Sequence, residues 1–180
     1  MRYFSTRDKT ISISSSEAII QGISKDGGLF VPETIPKIDN LMELTKMDYR
    51  KLAYFIMSKF FTDFEPTLLK EAIKDAYGQK FSLKDIVSVE KVKDRYLLEL
   101  FHGPTYAFKD MALSILPRLL RIALKINDID KEIVILTATS GDTGKAALEG
   151  FANVEGIKIV VFFPEKGVSQ IQKLQMITQE

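Results

Sequence analysis

The stretch that decides the fold is residues 132–145, which read EIVILTATSGDTGK. Its first half is an almost unbroken run of apolar and β-branched residues, as is typical of a strand buried in a parallel sheet. Residues 139–144 then predict a glycine-containing loop, and residues 145–151 predict a helix. The run KIVVFF at 158–163 predicts a second strand, which Pro164 ends. A strand, a loop, a helix and a strand in this order indicate a parallel βαβ unit.

The same alternation extends towards the amino terminus. Residues 96–101, YLLELF, predict a strand, and residues 108–125 predict a long helix that Pro117 kinks or breaks. We therefore expect three parallel strands, with the loops that follow two of them on one rim of the sheet, where ligands bind in such folds. The helix predicted over 168–180 has no stop signal after it, and three strands make a narrow sheet, so we expect the sequence to stop within a domain.

Residues 1–95 read as a mixture of short strands and helices. The spacing of Ser14 and Glu17 is that of a capping box and predicts a helix start, and Glu65 precedes a further amphipathic pattern. The expected fold class is therefore α/β. A mixed amino-terminal domain over residues 1–95 would be followed, over residues 96–180, by the first part of a parallel-sheet domain.

The composition excludes several classes of function. Lys and Arg number 25 and Asp and Glu 24, so a net charge of +1 offers no electrostatic reason to bind nucleic acid. With no Cys and one His, the chain has no disulfide, no thiolate zinc site and no paired-histidine motif, and we expect no metal. The longest apolar runs are far shorter than the ~20 residues that span a bilayer. We expect a soluble, cytoplasmic protein without a membrane partner.

The loop at residues 139–144 has the composition of an anion-binding site. Gly141 and Gly144 let the backbone approach a ligand, and the helix that follows presents unpaired N–H groups. Ser140 and Thr143 add hydroxyl donors, so the loop suits a carboxylate or a phosphate. It matches neither the Walker pattern nor the G-x-G dinucleotide pattern. A tight turn with an ordinary helix cap is the alternative interpretation.

Lys109 is the second candidate. It lies at the start of a predicted helix, where the helix dipole and apolar neighbours disfavour an ammonium group. A neutral amine is what Schiff-base chemistry requires. The alternative for Lys109 is a surface lysine paired with Asp110, and the alternative for His102 is a loop histidine bonded to the backbone.

Four segments together resemble one family. HGPTYAFKD at 102–110 is similar to the lysine segment of the threonine synthases, pyridoxal-phosphate enzymes of the tryptophan-synthase-β-like fold, also called fold type II. ATSGDTG at 138–144 resembles the serine-glycine loop of that family. YFSTR at 3–7 and DGGLFVP at 26–32 look like its amino-terminal domain. The resemblance covers nearly the whole chain in the expected order.

The resemblance implies a role for each candidate residue. Lys109 would form the aldimine with pyridoxal 5'-phosphate and act as the catalytic base. The residues near the cofactor would be Lys109, Phe108 and Asp142. The residues near the substrate would be Ser140, Gly141, Thr143, His102 and Thr105. The family reaction, the last step of threonine biosynthesis, converts O-phospho-L-homoserine and water to L-threonine and phosphate.

Two other functions stay open at this stage. One is a different lyase of the same fold that acts on a phosphorylated amino acid, and the other is a non-catalytic anion-binding domain. The family also has a later glycine-rich loop for the cofactor phosphate, which has no counterpart in these 180 residues. We therefore expect this chain alone to bind the cofactor poorly and to be inactive.

Overall fold

A computed structural model of the chain describes residues 1–139 and 141–179. The backbone divides into two compact units. The first consists of Met1–Asp75 and Arg118–Asp130, and the second of Ala76–Pro117 and the residues from Lys131 onward. This division does not coincide with the boundary expected at residue 95. After Pro117 the chain returns to the first unit, and no local sequence pattern predicts this return.

Helices and strands alternate along the chain as follows. The helices are α1 (Ser15–Gln21), α2 (Leu41–Leu44), α3 (Tyr49–Phe60), α4 (Pro66–Ala76), α5 (Asp110–Leu113), α6 (Leu116–Ile126), α7 (Asp142–Phe151) and α8 (Gln170–Ile177). The strands are β1 (Tyr3–Ser5), β2 (Ser12–Ile13), β3 (Phe30–Pro32), β4 (Ser88–Val92), β5 (Arg95–Glu99), β6 (Ile133–Ala138) and β7 (Ile157–Phe162). No described helix has the length and apolar composition needed to cross a membrane.

The first unit combines a small antiparallel sheet, in the order β2-β1-β3, with helices. The predicted capping box is confirmed: the Glu17 N–H donates to Ser14 Oγ over 3.2 Å, and the Ser14 N–H donates to Glu17 Oε2 over 2.7 Å. Most of α4 and α6 belongs to this unit, and their apolar side chains supply its core, with Leu69 and Ile73 almost fully buried. Helix α4 begins directly after Glu65, as the sequence predicts.

The second unit contains two separate pairs of strands. β6 and β7 are parallel, in register from Ile133 opposite Ile157 to Ala138 opposite Phe162, which confirms the predicted βαβ unit around α7. The prediction for residues 96–101 is wrong in its pairing, because β5 pairs antiparallel with β4 as a hairpin and not with β6 or β7. A tight turn at Lys93, whose φ is +56°, joins the two strands. A short turn closes such a pair at a smaller entropic cost than a long crossover, so the local partner is favoured.

The predicted burial of both faces of the parallel strands is also wrong for the described chain. Along β6 the half-buried Ile133 and Ile135 alternate with Val134 and Leu136, which are 51% and 67% exposed. α7 packs against β7 on one side of the pair. One helix covers one face of a sheet, so the other face stays exposed.

The long helix predicted from residue 108 is broken, as Pro117 indicates. α5 is a single turn, and α6 begins only at Leu116. Proline fits the first turn of a helix, where its missing N–H is no loss. The macrodipole at Lys109 therefore comes from one turn and not from a long helix.

Candidate active site

The segment from His102 to Asp110, here called the lysine loop, is closed by a buried carboxylate. Asp110 is 1% exposed. Its Oδ2 accepts a hydrogen bond from the Thr105 N–H over 2.9 Å, and its Oδ1 accepts one from Thr105 Oγ1 over 2.7 Å. Gly103 lies against the same carboxylate, because a Cβ built there would be 2.5 Å from Asp110 Oδ2. The loop therefore wraps around Asp110.

The turn inside the lysine loop orients the residues before α5. The Tyr106 N–H donates to the Gly103 carbonyl over 3.2 Å, and Tyr106 adopts a φ of +58°, which is uncommon for a residue with a side chain. The Asp110 N–H then donates to the Ala107 carbonyl over 3.0 Å. These bonds hold Lys109 at the amino end of α5.

Lys109 is half-buried beside an aromatic ring. Its Nζ lies 4.3 Å from the centroid of the Phe108 ring, within the range of a cation–π contact. Asp110 accepts hydrogen bonds from Thr105, and no salt bridge joins it to Lys109. Within the described part of the chain, the amine has no salt-bridge partner.

His102 is held by side chains as well as by the backbone. Its Nε2 lies 2.8 Å from Glu99 Oε2, and its Nδ1 lies 3.4 Å from Ser82 Oγ. The Ser82 N–H also donates to the His102 carbonyl over 2.9 Å. The Phe101 ring packs on the imidazole, with centroids 4.6 Å apart. The backbone bond of the alternative interpretation is thus present, while the ring contacts side chains.

The second candidate loop leads from β6 into α7. The Gly141 N–H donates to Thr139 Oγ1 over 3.3 Å, and Thr143 is exposed in the first turn of α7. Gly144 permits close packing on the sheet, since a Cβ there would be 2.3 Å from Thr139 Cγ2 and 3.1 Å from Val161 Cγ1. Ser140 lies outside the described residues.

The amino end of α7 differs from those of α1, α3 and α8. Those three helices begin with side-chain caps from Ser14, Asp48 and Ser169, whereas no described side chain caps α7 at Gly141. The first N–H groups of a helix carry partial positive charge and bind anions. This end of α7 can therefore accept a carboxylate.

Asp142 forms a hydrogen bond with a residue of α8. Gln172 Nε2 donates to Asp142 Oδ1 over 2.8 Å. The same glutamine takes part in the cap of α8, because its N–H donates to Ser169 Oγ over 3.2 Å. Sequence reasoning did not place Gln172 at the site. The capping-box spacing of Ser169 and Gln172 was a local signal for the helix start, but it did not report the bond to Asp142.

The comparisons with known proteins agree along the chain. A sequence model of the family described as "Threonine synthase N terminus" matches residues 2–77. Threonine synthase from Pseudomonas aeruginosa is 35% identical over 99% of this chain, and threonine synthase from Saccharomyces cerevisiae is 38% identical over 98%. The chain matches the amino-terminal part of the threonine synthase family. It spans 38% and 37% of the lengths of these two relatives.

Solved structures of the family extend the match to the fold. The crystal structure of PLP-bound threonine synthase from Brucella melitensis superposes with a TM-score of 0.88 and 31% identity, over 98% of this chain and 38% of that one. Threonine synthase from yeast gives a TM-score of 0.89 and 35% identity, over 97% of this chain and 38% of that one. The α/β fold expected from the sequence is thus that of the amino-terminal part of the threonine synthases.

The second unit holds both candidate loops. α5 packs against α7, where a Cβ at Gly150 would lie 2.2 Å from the Leu113 carbonyl oxygen. Two grooves of about 430 and 460 Å³ lie in the first unit, one between α4 and α6 and the other along α3. Neither groove is lined by a candidate residue. Among the described residues no group of acidic and histidine side chains could hold a metal ion.

Proposed function

We propose that this chain supplies the lysine and the carboxylate-binding loop of a pyridoxal-phosphate-dependent threonine synthase. The reaction would convert O-phospho-L-homoserine and water to L-threonine and phosphate. The observation that supports this most directly is the lysine loop. Its buried Asp110 is hydrogen-bonded to Thr105, and its Lys109 lies at the start of α5 without a described ion-pair partner. Relatives named threonine synthase, one of them solved with PLP bound, support the cofactor.

Lys109 fits the role of the cofactor lysine. The residue is half-buried, its Nζ lies 4.3 Å from the centroid of the Phe108 ring, and it forms no ion pair with Asp110. Pyridoxal phosphate, when bound, withdraws electrons from the substrate carbon next to the amino group. Lys109 would hold the cofactor and move protons at the substrate carbons, since a flexible amine reaches more than one atom. Phe108 would line the space beside the amine.

The loop before α7 would bind the substrate α-carboxylate. The backbone N–H groups of Gly141 and Thr143 and the hydroxyls of Ser140 and Thr143 are the proposed donors. The Gly141 N–H would exchange its 3.3 Å bond to Thr139 Oγ1 for the carboxylate. Hydrogen bonds to a charged group contribute roughly 1.5–3 kcal/mol each. Asp142 would face the ring hydroxyl of the cofactor, while Gln172 Nε2 donates a hydrogen bond to Asp142 Oδ1. His102, fixed by Glu99, would border the same space.

We also propose that these 180 residues do not complete a catalytic cycle alone. The chain spans 38% of the length of the Pseudomonas aeruginosa relative, so most of that protein's contacts have no counterpart here. No residue of the chain is assigned to the phosphate of the cofactor or of the substrate.

The test uses the longest natural polypeptide that contains residues 1–180. It is incubated with pyridoxal phosphate, reduced with borohydride, digested and mapped by mass spectrometry. We expect an absorption band near the boundary between the ultraviolet and visible ranges. After borohydride reduction, we expect the cofactor to be covalently attached to Lys109 as a label. Lys109→Ala should remove the band and the label, whereas Lys84→Ala, at an exposed lysine outside both loops, should leave them unchanged. A label that settles on other lysines would contradict the proposal.

A second candidate function is a lyase of the same fold with a different product. It stays open because the relatives do not all carry the same name: the human "Threonine synthase-like 1" is 38% identical to this chain, as is the yeast threonine synthase. Product analysis with O-phospho-L-homoserine separates the two: threonine with phosphate supports the synthase, and 2-oxobutyrate supports the lyase. A protein that stays colourless with added cofactor would indicate the non-catalytic anion-binding domain.

A further inference from the structure

The lysine loop contains a buried acidic side chain that has no cationic partner among the described residues. Asp110 is 1% exposed, and within the described residues it forms no salt bridge. Its oxygens accept two hydrogen bonds from one residue, Thr105, which is itself 8% exposed. Burial of a carboxylate is unfavourable, and hydrogen bonds only partly offset it. Stability alone therefore does not explain this acid.

The carboxylate instead sets the path of the backbone. Both Thr105 donors reach the same carboxylate, which fixes the distance between the start of the loop and α5. Gly103 fills the remaining space around it, because any Cβ would be 2.6 Å from the Asp110 Cβ. Tyr106 is held at a positive φ within this closed loop. Lys109 is joined by a peptide bond to Asp110, whose position these contacts fix.

We propose that Asp110 and Thr105 are positioning residues for Lys109. The two hydrogen bonds between them are here called the clamp, and the Thr105 hydroxyl donates its proton to this clamp and not to the substrate. The hydroxyl proton of Thr105 is already donated to Asp110 Oδ1 over 2.7 Å. Thr105 thus has no second proton to give to a substrate. This inference rests on the proposed function, because Lys109 is the residue that would hold the cofactor.

The proposal is tested with substitutions at Thr105 and Asp110 that change the hydrogen-bonding groups and keep the side chain close to its original size. Thr105→Val keeps the size of the side chain and removes the hydroxyl donor, whereas Thr105→Ser keeps the donor. Asp110→Asn keeps the shape but replaces one acceptor oxygen by a donor. The longest natural polypeptide that contains the chain is used for all of them, and circular dichroism identifies the variants that fold.

The first measurement does not involve the cofactor. Each folded protein is treated with a small acetylating reagent, and the acetylation rate of Lys109 is compared with that of Lys84 by peptide mapping. We expect Thr105→Ser to keep the wild-type ratio within about twofold and Thr105→Val to change it about fivefold or more, since a displaced loop changes the environment of the amine. An unchanged ratio in folded Thr105→Val overturns the positioning role.

The second measurement is the rate of borohydride-trapped labelling of Lys109 by pyridoxal phosphate. We expect a decrease of about tenfold or more in Thr105→Val and in Asp110→Asn, with Thr105→Ser near wild type. A wild-type rate in Thr105→Val also overturns the inference. If the wild-type protein fails to label Lys109 while the acetylation ratio responds as expected, the proposed function fails and the clamp stands.

Discussion

The imidazole of His102, the sole histidine of the chain, can serve as a spectroscopic probe of the local structure of the lysine loop. An ionised carboxylate only accepts hydrogen bonds, so the 2.8 Å contact with Glu99 requires a proton on His102 Nε2. In the neutral ring Nδ1 is then the acceptor, and Ser82 Oγ lies 3.4 Å from it. The side chains around the ring therefore select one tautomer.

We predict that neutral His102 is the Nε2–H tautomer. Nitrogen-15 correlation spectra of the imidazole measure this directly, without overlap from other histidines. Glu99→Ala should yield a mixture of both tautomers, whereas Glu90→Ala, at an exposed position of β4, should leave the spectrum unchanged. A ring that is mainly protonated at Nδ1 in the unmutated protein would show that the Glu99 contact does not form in solution.

At the scale of helices and strands, the contact between α5 and α7 links the two candidate loops. α5 follows Lys109 directly, and α7 follows the glycine-containing loop. The two helices meet where Gly150 lies against the backbone of Leu113, with 2.2 Å between a built Cβ and the carbonyl oxygen. Backbone cannot move aside as a flexible side chain can, so this position requires glycine.

Gly150→Ala should therefore separate α5 from α7. We expect a loss of about 1–3 kcal/mol in the free energy of unfolding, typical of an overpacked interior position. Urea unfolding followed by circular dichroism measures it. Lys173→Ala, at an exposed position of α8, is the control and should stay within about 0.5 kcal/mol of the unmutated protein. Equal stability of the two variants would mean that the helices are not packed this closely.

At the scale of the whole molecule, carboxylates in both units are held in their charged form. In the first unit, hydrogen bonds from Ser14 lower the pKa of Glu17. In the second unit, burial is the largest single influence on Glu149 and acts to raise its pKa. The hydrogen bond and charge of Lys80, 2.6 Å away, together with Gln179 and Lys145, outweigh it and lower the pKa below its ordinary value of 4.5. Stability from such groups is present above the pKa of the unfolded chain and is lost as pH falls through the folded-state pKa.

We predict that the urea midpoint falls when the pH is lowered from 7 to about 3. Lys80→Met should lower stability at pH 7 by about 1 kcal/mol or less, because Lys80 is half exposed and solvent screens the pair. At pH 3 the same substitution should have a smaller effect, since a larger fraction of Glu149 is then protonated. Lys84→Met, at an exposed lysine, is the control. A larger effect of Lys80→Met at pH 3 than at pH 7 would contradict the assignment.

The sequence alone determined the elements whose signals are local. The start of α1 at Ser14, the start of α4 after Glu65 and the break near Pro117 follow from groups within a few residues of each other. The parallel pairing of β6 and β7 follows from a short βαβ unit. Lys109 and the glycine-containing loop were found by their resemblance to a family, because a lone lysine has no distinctive spacing.

Only the tertiary structure decided the partners of distant segments. β5 pairs with β4 in place of a parallel strand, α6 returns to the first unit, and Asp142 is bonded to Gln172 on α8. Even the short contact from Thr105 to Asp110 was missed, because an acid beside a lysine predicts an ion pair when burial is unknown. In each of these cases, alternative partners compete for the same segment or side chain. The result depends on burial and on chain closure in three dimensions, which local patterns do not encode.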